Sequence, residues 1–264
     1  MPPRLDPRLL ETVVALADGL EHAGVRYCII GALVPELLLK TPPSRKTNDA
    51  DAVVLVDTLP EFDRVKGVLE QPQYGFVRTR QPFRMERGAG RIDVLPYSEA
   101  LAPDGLLRIP PSTPYNMLGF NRIFESQTTA NPGIGRALPL VTIPLYALLK
   151  LVAYSDRLMP RDPAGVLHCL IHYEEDSERL YGVEHRGTLI DFDLAGAYLL
   201  GHDGQKLIDE ALTANIRPIL EALADPDSPL GSSTVYEYRN GAFDERLRTL
   251  TARLFDAYRK GLGV

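Results

Sequence analysis

Cysteine is nearly absent from this chain: Cys28 and Cys169 are the only two among 264 residues. Two cysteines exclude a disulfide framework. Both sit in apolar surroundings, Tyr27-Cys28-Ile29-Ile30 and Leu167-His168-Cys169-Leu170, and read as buried free thiols of a reducing, cytoplasmic compartment. No apolar run approaches the roughly 20 residues that span a bilayer, so no membrane partner is expected. Met1-Pro2-Pro3-Arg4-Leu5-Asp6 has no apolar core of the kind a secretory signal needs. Positive charge is in deficit, with 29 Lys and Arg against 35 Asp and Glu and a net charge of −6. That argues against a surface coated for long nucleic acids, without excluding an RNA end. A Walker loop, a GxSxG elbow and a convincing Cys–His pair are missing too, as are internal repeats and low-complexity segments.

What is present centres on one stretch, Arg45-Lys46-Thr47-Asn48-Asp49-Ala50-Asp51-Ala52-Val53-Val54-Leu55-Val56. Two aspartates end a polar run and launch an apolar strand. On a strand, residues i and i+2 project to one side, so Asp49 and Asp51 should face the same way. Two neighbouring anions repel unless a cation lies between them, and Mg²⁺, or Mn²⁺ in its place, takes such hard oxygen ligands while keeping positions for substrate phosphates. Before this stretch, Val25-Arg26-Tyr27-Cys28-Ile29-Ile30-Gly31-Ala32 reads as a strand ending in glycine, followed by a helix over Leu33–Lys40. That turn lets backbone approach a phosphate beside a helix N-terminus. After it, Arg91-Ile92-Asp93-Val94-Leu95 is an apolar strand carrying one carboxylate, costly unless paired or metal-bound. Asp49, Asp51 and Asp93 are therefore candidate metal ligands and catalytic residues. The structural alternative is that Asp49 caps the strand and Asp93 pairs with Arg91 or Arg45.

Elsewhere, periodicity predicts helices over 9–23 (closed by Gly24), 59–71, 144–158, 163–175, 191–201, 204–223 and 241–260, and strands over 25–30, 51–56, 74–80, 83–86 and 91–95. The region 99–141 reads as loop-rich, with a hairpin made of Arg108–Ile109 and Ala137–Val141 covering the sheet edge. The predicted fold is α+β: a mixed β-sheet with flanking helices over 1–142, then a helical domain over 143–264. Asp162 before Pro163 reads as a helix N-cap. His168 and His172, four apart, have metal-ligand spacing but no third ligand, and structural roles are preferred. Asp191 and Asp193 suit a helix N-terminus. Arg78, Arg80, Arg84, Arg87 and Arg91 form a basic cluster, either a solvated hairpin or a substrate-facing surface. Val235–Arg239 reads as an aromatic patch or a packed edge.

The order strand–Gly–helix, DxD on a strand and a further Asp on a later strand resembles the polymerase-β-like nucleotidyltransferase superfamily. The phrase Arg45-Lys46-Thr47-Asn48-Asp49-Ala50-Asp51 resembles the R-x-T-x-D-x-D form of AbiEii/AbiGii-type toxin nucleotidyltransferases. The likeness covers roughly residues 20–165 as an ordered set of motifs. It departs at Gly31-Ala32, where the family carries Gly-Gly or Gly-Ser, so Ala32 brings no hydroxyl to a phosphate. The resemblance implies a nucleotidyltransferase-type catalytic domain, with Asp49, Asp51 and Asp93 on Mg²⁺ and an NTP as substrate. Gly31 and Ala32 would lie at the phosphates, and Arg45 and Thr47 beside the carboxylates or the triphosphate. It points to the helix Ile143–Arg157, where Lys150 and Arg157 share a face that would neutralise pyrophosphate, and to Arg161-Asp162 beyond it. It implies an RNA or tRNA 3′ end as acceptor and a cognate antitoxin as partner. A small-molecule (aminoglycoside-like) acceptor, and a non-catalytic nucleotide-binding module of the same fold, are the alternatives.

Overall fold

The computed structural model describes residues 5–45, 47–110, 113–175, 178–182 and 191–264. Lys46, Pro111 and Leu189–Ile190 lie outside the described residues. The chain forms two compact units, one of residues 1–38 and 46–142, the other of 39–45 and 143–264.

The first unit is built on a seven-stranded sheet. Helix α1 (Pro7–His22) begins at Asp6, whose carboxylate accepts the Arg8 N–H at 2.9 Å, and buries Leu9, Val13, Leu16 and Leu20. Strand β1 (Tyr27–Ile30) is followed by α2 (Leu33–Leu38), shorter than the helix expected to Lys40. Strand β2 (Asp49–Leu55) starts at the first aspartate itself rather than at residue 51. Helix α3 (Leu59–Leu69) opens with a reciprocal cap: Thr58 Oγ accepts the Glu61 N–H, and the Glu61 carboxylate accepts the Thr58 N–H. Strands β3 (Val77–Arg78), β4 (Arg84–Arg87) and β5 (Gly90–Tyr97) complete the predicted αβαβαβββ order.

Two short strands, β6 (Leu106–Leu107) and β7 (Tyr115–Asn116), pair with each other. The predicted hairpin is corrected here. Arg108–Ile109 lie outside any strand. The partner of β9 (Leu138–Val141) is β8 (Gln127–Ala130), and β9 joins the main sheet beside β1. The sheet order is β3-β4-β5-β2-β1-β9-β8. Pairs β2/β5 and β1/β9 are parallel and the rest antiparallel, so the sheet is mixed.

The two faces of the sheet's centre differ because strand side chains alternate. Ala50, Ala52 and Val54 on β2 and Ile92 and Val94 on β5 are buried on one face. A Cβ placed on Gly90, which shares that face with Ile92 and Val94, would lie 2.1 Å from Thr12 Oγ of α1. Helix α1 therefore covers this side, and each fully buried Val or Ile side chain there contributes about 1.5–3 kcal/mol. The opposite side of the same strands carries Asp49, Asp51, Arg91 and Asp93, all half-buried.

The second unit is helical: α4 (Ile143–Arg157), α5 (Arg161–His172), α6 (Ala195–Gly204), α7 (Glu210–Ala224), α8 (Pro229–Tyr238) and α9 (Glu245–Leu262). The predicted helix over 204–223 is two pieces, because Asp209 caps a fresh start by accepting the Leu212 N–H at 2.9 Å. Residues 235–238, read from sequence as an aromatic patch or edge, are the last turn of α8. Ser228 caps that helix by accepting the Leu230 N–H at 3.2 Å, with Pro229 at its first position. The largest fully buried side chain here is Tyr258 of α9. No described helix is long and apolar enough to cross a membrane.

Candidate active site

The register of the central strands sets the geometry of the polar face. Side chains directly opposite each other on paired strands lie on the same face. Asp51 of β2 stands opposite Asp93 of β5, and Asp93 stands opposite Arg84 of β4. One step along, Asp49 stands opposite Arg91, and Arg91 opposite Glu86. Two rows result, Arg84–Asp93–Asp51 and Glu86–Arg91–Asp49. These six positions hold four carboxylates against two guanidinium groups.

Both guanidiniums are committed to the aspartates. Arg84 donates Nε to Asp93 Oδ1 at 2.8 Å and Nη2 to Asp93 Oδ2 at 2.7 Å. Arg91 donates Nε to Asp49 Oδ1 at 2.9 Å and Nη2 to Asp49 Oδ2. These are bidentate fork contacts, the stronger class of charge-assisted hydrogen bond. The Asp93 hydrogen bonds hold Arg84 above its usual pKa, with Asp49 and Asp51 adding charge at longer range. Those of Asp49 do the same for Arg91. The alternative reading of Asp93 is therefore corrected in its partner. Asp93 pairs with Arg84, whereas Arg91 crosses to Asp49 and Arg45 pairs with Glu237 within the helical unit.

Gly31 ties the β1 turn to the DxD pair. Its φ is +73°, and a Cβ there would lie 1.9 Å from Asp51 Oδ2. Only glycine meets both demands, the left-handed backbone and the carboxylate lying against its Cα. Ile30, the last residue of β1, stands opposite Asp51. Ala32 lies between Gly31 and α2, half-buried. With six residues, α2 provides a short dipole at best. Thr47 shapes the entry to β2: its hydroxyl donates to Asp49 O at 3.0 Å and accepts the Asp49 N–H at 3.2 Å.

Lys150 and Arg157 are placed within the helical unit, where both hold Asp162. Lys150 Nζ donates to Asp162 Oδ1 at 3.2 Å, and Arg157 Nε to Oδ2 at 2.6 Å. Asp162 is fully buried. Burial alone would raise its pKa, and the hydrogen bonds and charges of Arg157 and Lys150 more than reverse this, holding it below the usual range. The capping role predicted for Asp162 is corrected: Pro160 is the N-cap of α5, and Asp162 is the second helical residue.

His168 Nε2 donates to Thr41 O at 3.0 Å, and its ring lies 4.6 Å from that of His172. Burial pushes its pKa down to about 4. Asp191 caps a short 3₁₀ turn, Phe192–Leu194, and pairs with Arg253. In the basic cluster, Arg78 pairs with Asp63 and Glu70, and Arg87 donates to Tyr74 O at 2.8 Å.

Among the described residues, no three His, Cys, Asp or Glu side chains stand as they are in an arrangement that could hold a metal ion. Three hard oxygen donors share one face, and Gly31 leaves the Asp51 carboxylate room against its Cα. In donor chemistry this face therefore suits a divalent cation. Its present side-chain positions belong to Arg84 and Arg91. Sequence reasoning grouped Arg84 only within a basic cluster and passed over Glu86. The signal available was parity, since Arg84 and Glu86 alternate with buried Phe83 and Met85.

No family model and no curated protein matches the chain. Among solved structures it is similar to an antigenic nucleotidyltransferase-like protein from Paracoccidioides brasiliensis, at 18% identity over 63% of this chain and 77% of that one, with a TM-score of 0.41. It is also similar to the solution structure of the antibiotic-resistance factor ANT(2'')-Ia, at 16% identity over 80% of this chain and 92% of that one, with a TM-score of 0.40.

Proposed function

We propose that the chain is a metal-dependent nucleotidyltransferase that moves a nucleoside monophosphate from an NTP onto an acceptor hydroxyl. One observation carries this reading. Asp51 and Asp93 stand in register on paired strands, and Asp51 lies against a glycine that tolerates no side chain. The motif order met in the sequence is thus one physical cluster. Asp49, Asp51 and Asp93 would hold Mg²⁺ or Mn²⁺, which when bound supplies charge stabilisation at the reacting phosphoryl oxygens. The chain's own contributions are distinct. Gly31 sets the floor against which Asp51 is oriented, Thr47 fixes the backbone at Asp49, and Asp93 would accept the proton of the attacking hydroxyl. Gly31 and Ala32 would meet the phosphates through their backbone.

The acceptor is proposed to be an RNA or tRNA 3′ end, with a cognate antitoxin as partner, following the R-x-T-x-D-x-D resemblance. A cationic small-molecule acceptor is the second reading, favoured by the net charge of −6, which repels a polyanion. The test is incubation with Mg²⁺, each α-labelled NTP and total RNA, resolved on a denaturing gel beside Asp49→Ala. Label on RNA with wild type alone supports the RNA reading. Label on an added aminoglycoside instead supports the second. Full activity in Asp49→Ala overturns the site.

A further inference from the structure

Two of the four carboxylates on the polar face of the sheet are already paired from within. Each of Asp49 and Asp93 has both carboxylate oxygens taken by one guanidinium fork. Resting on the nucleotidyltransferase reading, we propose that Arg84 and Arg91 are internal counter-cations that a divalent metal must displace from Asp93 and Asp49, so that they set the metal affinity of the site.

Three observations support the exchange. First, the partners are accessible: side-chain exposure is 27% for Arg84 and 21% for Asp93, and 43% for Arg91 and 34% for Asp49. Ion pairs in contact with water are weak enough to trade partners. The Asp162 pairs of the helical unit, whose carboxylate is fully buried, have no such freedom. Second, the charge count matches. Asp49, Asp51, Glu86 and Asp93 exceed Arg84 and Arg91 by two charges on one face, the charge of one divalent ion. Third, the arginines arrive from β4 and β5 while the DxD pair lies on β2. Rotation about the long arginine stems frees the carboxylates without moving the strand that carries Asp49 and Asp51.

Two effects then act in the same direction on metal binding. Each arginine competes for the oxygens that a metal would use, and each places a positive charge near the incoming cation. Removing either one should tighten the site. Pairs at a place where no metal binds predict otherwise: their loss lowers stability and leaves Mn²⁺ affinity unchanged.

The experiment is titration of the intact protein with Mn²⁺, followed by the electron paramagnetic resonance of the free ion. It compares wild type with Arg84→Met, Arg91→Met, Arg84→Lys and Asp93→Asn, and thermal melts confirm that each variant is folded. The expected result is about tenfold tighter Mn²⁺ binding in each Met variant. Arg84→Lys, which keeps the charge and loses the fork, should fall between Met and wild type, and Asp93→Asn should bind more weakly than wild type. Affinity unchanged or weakened in both Met variants overturns the exchange. So does failure of every variant to bind Mn²⁺, however the transfer assay falls. Unchanged affinity alongside active wild-type transfer overturns the exchange and leaves the enzyme reading standing. Tighter binding in the Met variants with no transfer to any acceptor supports the exchange and overturns the enzyme reading alone.

Discussion

Aspartates bound by arginine occur in both units of this chain, and the two settings differ in one respect. On the sheet face, Asp49 and Asp93 are 34% and 21% exposed and each meets one guanidinium. In the helical unit, Asp162 is fully buried and meets both Lys150 and Arg157. Water decides what each arrangement is for. A half-exposed fork, screened by water, contributes about 1 kcal/mol and can be exchanged for a ligand. A buried carboxylate without its cations is prohibitively placed, so that pairing is a fixture of the fold. The same chemistry therefore reads as a site in one unit and as a joint between α4 and α5 in the other.

The comparison can be broken most severely on the sheet face. Asp51→Asn should lower nucleotide transfer about a thousandfold, several kcal/mol of barrier, while its melting temperature stays close to that of wild type. Retained activity, or collapse of the fold, would place Asp51 with Asp162 instead. Next in size, Asp162→Ala should cost about 3 kcal/mol of stability by denaturant unfolding, whereas Asp93→Ala should cost about 1 kcal/mol or less. Equal costs would erase the distinction.

A pH scan sharpens it further. His168 is buried with its pKa pushed down to about 4. The neutral ring is the form that the fold favours, so its contribution is whole above the unfolded value of about 6.5 and declines as pH falls toward 4. The loss amounts to about 3 kcal/mol over that window. His168→Gln should flatten this slope, as followed by urea unfolding at pH 7 and pH 4.5. Asp162, with its pKa held down, adds its own loss only at still lower pH. On transfer, a smaller effect than that of Asp51→Asn is expected for Gly31→Ala. A positive φ with a side chain costs about 1–2 kcal/mol, and the new methyl must push Asp51 aside. Transfer should therefore fall more than stability does. A loss of stability alone would make Gly31 a turn residue and nothing more.

The sequence made the α+β class and the first eight elements legible because hydrophobic period and turn chemistry agreed there. Thr58 with Glu61 and Asp6 before Pro7 are local signals, and local signals survive in one dimension. Helix α8 was missed since Ser232, Ser233 and Thr234 are indifferent helix formers and its cap, Ser228-Pro229, was passed over. Strand β8 was missed since Gln127-Thr128-Thr129-Ala130 has no apolar face to announce it. Of the candidate site, Gly31, Asp49, Asp51 and Asp93 were legible as types in order, and their partners were not. Arg91 is two residues from Asp93 in sequence, yet it reaches Asp49, because strand register places those two side chains opposite each other. Register depends on the whole sheet, and no window of sequence contains it.

The central claim is that the sheet-face pairs are exchangeable and the helical pair is not. The most direct measurement follows the arginine Nε–Hε resonances of ¹⁵N-labelled protein as Mg²⁺ and a non-hydrolysable NTP analogue are added. The account predicts that Arg84 and Arg91 shift and lose protection from solvent exchange while Arg157 stays in place. Signals of Arg84 and Arg91 that remain as fixed as that of Arg157 at saturating Mg²⁺ and nucleotide would contradict it.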